Sequence, residues 1–307
     1  MIVCCGEALI DMLPRQSTAG EPAFAPYAGG AVFNSAIALG RLGAPVEFFS
    51  GLSSDLFGQQ IRDVLSSSNA GSRYADISAR PTTLAFVRLT DGHATYTFYD
   101  ENTAGRMLTE ADLPTFDDDI DAMLFGAISL IPEPCGSAYE ALMKREHGQR
   151  VTMLDPNIRP GFIQDKEKHL ARMQRMMGMA DIVKLSDDDL DWFGETGSQA
   201  DVAEKWLGLG PKLVIVTGGS KGATGYTRNH KVSVASERVT VVDTVGAGDT
   251  FNAGVLASLH DQKLLTKNAI ASLSETAIHK ALTLGAKAAA VTVSRAGANP
   301  PWRKEIV

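Results

Sequence analysis

The sequence predicts an α/β protein, with a mostly parallel central sheet and a β hairpin set apart from it. Three observations carry that expectation. From Asp121 onward, apolar runs (AMLFG, VTMLD, DIVKL, KLVIVT) alternate with helical periodicity. Unbroken apolar strands of this kind belong in parallel sheets covered on both faces. Thr82–Leu89 and Ala94–Tyr99 alternate around Asp91-Gly92, a hairpin signal outside that rhythm. Val239–Leu259 (VTVVDTVGAGDTFNAGVLASL) reads as a strand over Val239–Val242, a turn with two glycines, and a helix faced by Phe251, Val255, Leu256 and Leu259.

Ile2–Cys5 opens the chain as a strand that runs into GEALIDM, with Asp11 just past its end. The stretch holding Pro14, Gly20, Pro22 and Pro26 reads as loop. In YAGGAVFNSAIALGRLG, the Gly29-Gly30 pair leads into a helix faced by Phe33, Ile37 and Leu42 and stopped at Gly43. Asn34 lies in its first turn. It either caps the helix or offers its amide donor and acceptor to a ligand. Pro45–Gly51 is a strand and Phe57–Ser68 a helix. After the hairpin, with Tyr96 and Phe98 on its second strand, DENTAGRML supplies polar Asn102 and Arg106.

Cys135–His147 is a helix, and VTMLDPNIRP a strand ending in Asp155, Asn157 and Arg159. Polar residues at the carboxyl ends of parallel strands mark the binding edge of an open sheet. Asp181–Leu185 leads into SDDDLDWFG, and Lys212–Thr217 into GGSKG. ATGYTRNHKVSVAS is a hairpin around Asn229, and ETAIHKALTLGAKAAAVTV a helix before SRAGANP. No repeat or low-complexity linker interrupts the order, so residues 1–307 are expected to form one domain.

Composition excludes several function classes. The formal charge of −7 offers no basic excess for nucleic acid. No apolar run approaches the ~18 residues of a membrane helix. The opening MIVCCGEALIDM reads as a strand, not a leader, and the three cysteines give no disulfide or zinc pattern. Free thiols in a cytoplasmic protein are the expectation.

The chemistry concentrates at GAGD. A helix that starts from glycines leaves its first amides without intrahelical partners, and these attract anions. Gly246 and Gly248 let a phosphate approach the backbone. A carboxylate at Asp249 is costly there unless it has a task, and accepting a proton from an attacking hydroxyl is such a task. Neither the P-loop pattern nor the dinucleotide fingerprint is present.

DTVGAGDTF resembles the second signature of the ribokinase-like (PfkB) carbohydrate kinases, and GEALIDM, GGAVFN, DPNIR and TGGSKG match further motifs in family order across essentially the whole chain. The resemblance implies a three-layer ribokinase-like fold with a mostly parallel central sheet and a small β lid formed by about 12–28 and 82–106. It makes Asp249 the catalytic base and the backbone of Gly246, Ala247 and Gly248 the anion hole. It implies a sugar site of Asp11, Gly29, Gly30, Asn34, Phe98, Asn102, Arg106, Asn157, Arg159 and Asp249. ATP is expected at Ser186, Thr217, Gly219, Lys221, Gly222, Gly246, Gly248 and Asn252. Asp189 would serve Mg2+ through water, because Ser186 and Asp189 stand where many relatives have asparagine and glutamate. Asp243, Val245, Arg295 and Gly297 match a monovalent (K+) site. GEALIDMLPR and FYDENTAGRM are most similar to the fructose-phosphorylating members, which implies conversion of D-fructose to fructose 6-phosphate. A 2-keto-3-deoxygluconate kinase, a sugar-responsive binding protein and a glycosidase stay open as alternatives, and the lid strands offer a surface for a homodimer.

Overall fold

Residues that are apolar on both sides of a strand must be covered on both faces, and this chain does so around one large sheet. The computed structural model describes residues 1–90 and 93–306; the expected hairpin turn at Asp91-Gly92 lies outside the described residues. The elements run β1 Ile2–Cys5, β2 Leu9–Gln16, β3 Pro22–Gly29, α1 Ala31–Arg41, β4 Val46–Phe49, β5 Gly51–Ser53, α2 Leu56–Ser67, β6 Ala70–Gly71, β7 Asp76–Ser78, β8 Leu84–Thr90, β9 His93–Tyr99, β10 Ala122–Gly126, α3 Cys135–Glu146 and β11 Val151–Asp155. They continue with α4 Lys166–Met179, β12 Ile182–Ser186, α5 Asp187–Phe193, α6 Gln199–Leu207, β13 Leu213–Thr217, β14 Ala223–Tyr226, β15 Lys231–Val234, α7 Ala247–Asp261, α8 Lys267–Ile270 and α9 Glu275–Val293.

Among the described residues the main sheet has the order β15-β14-β13-β12-β11-β10-β1-β4-β6. It is parallel from β13 to β6, and β14 and β15 add an antiparallel edge. Successive side chains of a strand point to opposite faces. In β1, Ile2 and Cys4 join one apolar cluster with Phe33, Phe251 and Leu282, from α1, α7 and α9. Val3 and Cys5 join the other, with Tyr139, Met173 and Trp206 of α3, α4 and α6. The result is helix–sheet–helix, three layers. All three cysteines are buried and free.

A second sheet, β3-β2-β8-β9, forms the lid. Here the expected loop over Pro14–Pro26 is instead two antiparallel strands. The prolines that suggested a loop sit where a missing N–H costs little. Pro22 and Pro26 are on the edge strand β3, and Pro14 lies beyond the Ile10–Met12 segment that pairs with β8. The expected strand Val239–Val242 does not form. Val239, Val241 and Val242 are 40%, 60% and 60% exposed, and the backbone of Val242 and Asp243 bonds the carbonyl of Val293 at the end of α9, not a ladder partner. No described helix is long and apolar enough to cross a membrane.

Strand β1 has β10 on one side and β4 on the other, so the winding reverses there, and the loops after β1, β10, β11, β12 and β13 open onto one edge.

Candidate active site

Helix α7 begins on that edge. Gly246 has φ +77°, the left-handed region, and a Cβ on it would come within 2.7 Å of the Ala298 methyl. Only glycine turns the chain here without strain. The first bond that closes α7 runs from the Thr250 amide to the Gly246 carbonyl (2.9 Å), so the amides of Gly248 and Asp249 precede the helical ladder; the Ala247 amide leans on the Thr244 carbonyl at 3.3 Å. Of the three residues expected to form the anion hole, Ala247 thus has its amide already engaged.

Asp249 is 7% exposed. Its Oδ2 accepts from Asn34 Nδ2 at 2.9 Å, and its carbonyl from Ser35 Oγ at 3.1 Å. Asn34 therefore faces the carboxylate instead of capping its own helix. Burial pushes the Asp249 carboxyl up to about 7, while the Asn34 amide pulls the other way. A carboxylate poised near neutrality is what a general base requires.

The lid side holds Asp11. Cross-strand register puts Asp11, Ala85 and Phe98 in one row on one face. A Cβ on Gly29 would lie 2.4 Å from Asp11 Oδ2, so the carboxylate rests against a bare backbone. Burial raises the Asp11 carboxyl to about 6. Gly30 has φ +114° and would meet the Glu7 carbonyl with any side chain. Phe98 meets Phe162 edge-on, with centroids 4.6 Å apart, which joins the lid to the loop after β11. Behind this contact lies a cavity of about 480 Å3 lined by Glu7, Phe98, Arg106, Ile128 and Phe162 among others. Arg106 is paired with Asp100 at 2.9 Å. Asn102 is exposed with φ +58° and does not line that cavity. Arg159 is exposed and donates to the Ile158 carbonyl; Asn157 takes φ +41° and its amide bonds Asp155.

On the opposite side, Thr217 Oγ1 donates to the Leu185 carbonyl, and Gly219 and Gly222 take φ +54° and +90°. A Cβ on Gly222 would come 2.1 Å from the Val234 carbonyl. Lys221 is exposed and 3.3 Å from Asp187. Ser186 and Asp189 form a reciprocal cap at the start of α5, and Asp189 Oδ1 also accepts from the Ile158 amide at 2.7 Å. Asp243 accepts from the amides of Val245 (3.0 Å) and Gly297 (2.9 Å), tying two loops together beside Gly246, while Arg295 is paired with Glu305.

The sequence profile described as pfkB family carbohydrate kinase matches residues 1–305. The chain belongs to that family. This carbohydrate kinase is 61% identical to a fructokinase of Rhizobium leguminosarum bv. trifolii over 278 residues, covering 91% of this chain and 85% of the relative. It is 33% identical to probable fructokinase-7 of Arabidopsis thaliana, over 98% and 89% of the two chains. The fructokinase of Xylella fastidiosa, solved with bound ATP, superposes with a TM-score of 0.86 at 29% identity, over 97% and 93%. A Vibrio cholerae O395 fructokinase in fructose, ADP and calcium ion bound form gives 0.83 at 26% identity, over 97% and 94%. The fold is ribokinase-like.

Two residues of the kinase expected beside the nucleotide and the metal are buried and bonded within the protein. Asn252 is 2% exposed and donates to Asp155 Oδ2 at 2.6 Å, beneath the base. Asp189 is 3% exposed, and both its oxygens accept protein hydrogen bonds, so it caps a helix and joins it to the Asn157–Arg159 loop. Asp155, expected on the binding edge, is buried here with Lys184, and Glu7 is half-buried; the sequence motifs did not single out Glu7 or Lys184. Glu7 accepts from the amides of Ala31, Val32 and Ser129, pinning the start of α1 to the loop after β10. The signal for Lys184 was present: a lysine inside an apolar strand run.

Proposed function

We propose that this carbohydrate kinase moves the terminal phosphoryl group of ATP to the C6 hydroxyl of D-fructose, giving fructose 6-phosphate and ADP, with Asp249 as the base. One observation carries the reading: a buried carboxylate, titrating near neutrality and held by Asn34, at the start of the helix whose first amides form the anion corner. The sugar would lie between Asp11 and Phe98 of the lid, Gly29 and Gly30 at the junction of β3 with α1, and Asn34 of α1. The hydroxyl oxygen forms the new P–O bond as the bond to the ADP oxygen breaks, and its proton passes to Asp249 Oδ. The amides of Gly248 and Asp249 meet the charge that grows on the phosphoryl oxygens without reorganising. Closure of the lid excludes water, the competing acceptor.

Fructose is favoured over 2-keto-3-deoxygluconate because the latter brings a carboxylate, and Arg106, the cation on the lid-side cavity wall closest to Phe98 in sequence, is already neutralised by Asp100. The fructokinase relatives support the same choice.

No group of three acidic, histidine or cysteine side chains suited to a metal occurs among the described residues. Mg2+ would fit here as a hydrated ion carried by the nucleotide phosphates, where it would neutralise their charge. The carboxylate-tied loops at Asp243, Val245, Arg295 and Gly297 suit a monovalent ion such as K+, whose effect would be to stiffen the turn at Gly246. The chain is read as one domain working in the cytoplasm. Phe24, Phe86 and Tyr99 form an edge-to-face cluster on the outer side of the lid, and Phe24 and Tyr99 are 49% and 60% exposed, which suits a homodimer through that sheet.

The deciding experiment is ADP release over a panel of sugars with and without K+. Fructose-dependent release is expected. ADP release that is independent of fructose but dependent on another sugar overturns the substrate, and light scattering that gives a monomer overturns the dimer.

A further inference from the structure

Lys184 lies in the middle of β12, 4% exposed, and the account above leaves it unused. Lysine is almost never fully buried unless paired. Its ammonium bonds Asp155 Oδ2 at 3.2 Å, and Asp155 is itself held by Asn252 at 2.6 Å. An ion pair inside a sheet would explain a lysine beside an aspartate. It does not explain where this ammonium points. A Cβ on Gly248 would come 3.2 Å from Lys184 Nζ, so the ammonium sits against the bare Cα of a residue in the first turn of α7. Side-chain bonds of a helix tilt toward its N-terminus, which puts the ammonium beside the open amides of the anion corner and not behind them.

Charge points the same way. Desolvation pulls the ammonium toward its neutral form, but the carboxylates of Asp155, Asp189 and Asp249 outweigh it and keep the lysine protonated. The carboxyl groups of Asp155, Asp189 and Asp249 outnumber the one cation, and a triphosphate must approach them. Like charges at this range oppose one another strongly in a dry site. A cation facing the phosphate would offset that charge alongside a hydrated Mg2+, and Lys184 is a cation that the fold sets against the start of α7.

We infer that Lys184 is a catalytic cation of the phosphoryl transfer, its ammonium touching the transferring PO3 group across the bare backbone of Gly248, with Asp155 and Asn252 holding it in place. The inference rests on the kinase reading of the same corner. As the P–O bond to ADP breaks and the bond to the sugar oxygen forms, the hydroxyl proton goes to Asp249. Lys184 keeps its own proton throughout and offsets charge on the equatorial oxygens. The absence of a side chain at position 248 is part of the device, since a methyl there would press on the ammonium.

The test compares Lys184→Met, Lys184→Arg and the double variant Asp155→Asn/Lys184→Met. The double variant removes both charges, so no lone buried carboxylate threatens folding. Steady-state turnover of fructose is measured, and calorimetry without sugar compares ADP with a non-hydrolysable ATP analogue. The expected result for both methionine variants is a loss of kcat of about 10²-fold or more with KM for fructose within about 3-fold, as for removal of a charge-stabilising donor. Binding of the analogue relative to ADP should fall by about 10-fold, and Lys184→Arg should recover part of both losses. A double variant with wild-type kcat, or with an unchanged ratio of analogue to ADP affinity, overturns the inference. So does a parallel fall in both affinities together with Tm, the signature of a structural role. If the wild type ignores fructose, the substrate reading fails, and the affinity ratio still decides the role of Lys184.

Discussion

The phosphoryl corner and the lid are built on opposite principles. The corner is assembled from strand ends and a helix start that the core already fixes: Asp249, Asn252, Asp155 and Lys184 are 7%, 2%, 4% and 4% exposed and bonded to one another or to Asn34. The lid is a sheet one layer thick. Its outer aromatics are half exposed, and its tie to the loop after β11 is the Phe98–Phe162 contact. The chemistry thus sits where atoms cannot shift, and substrate capture sits where they can. A residue in the corner should act on kcat, and a residue in the lid on KM.

The largest expected effect breaks the corner. Asp249→Asn should lower kcat by about 10²-fold or more while ATP binding persists, checked by ADP release and calorimetry. Stability should respond with a defined sign. The folded carboxyl is raised above its unfolded value of 3.8 to about 7, so its stabilising contribution is full below pH ~4 and is lost as pH rises through about 7. The Tm advantage of Asp249→Asn over wild type should therefore be greater at pH 8 than at pH 5, as thermal melts at the two pH values would read. Gly29→Ala comes next, because its methyl would lie 2.4 Å from Asp11 Oδ2 and must push that carboxylate aside. KM for fructose should rise by about 10-fold or more, the loss of a charged hydrogen bond, with kcat falling less. Phe98→Ala removes the edge-on contact with Phe162, and KM should rise by about 5-fold at unchanged kcat in the same assay. Smallest is Lys221→Ala. Its ammonium is 80% exposed and its pair with Asp187 is long, so KM for ATP should change by less than about 3-fold, as for other surface ion pairs.

The same contrast explains what the sequence could show. The corner was legible because a glycine turn, a following helix and one carboxylate are local in sequence. The buried strands were legible because they are apolar on both faces. β2 and β3 were hidden by Pro14, Pro22 and Pro26, which forbid a central strand but not an edge one, and only the pairing partners reveal which case applies. Val239–Val242 misled in the opposite sense: β-branched composition without a neighbouring strand leaves extended chain. The contacts of Asn34, Glu7, Asp155 and Lys184 span 215, 24, 97 and 29 positions, so a local signal such as a lysine inside an apolar strand marks the residue and not its partner.

Phosphoryl transfer here turns on Asp249 taking the hydroxyl proton, and the pH dependence of kcat reads that step most directly. The base must be unprotonated to act, so kcat of the wild type should fall as pH drops below about 7, with a slope of one proton. In Asp249→Asn the residual rate should lose that acid limb. A wild-type kcat that stays flat from pH 8 to pH 5, or an Asp249→Asn variant that keeps the same limb, would contradict it.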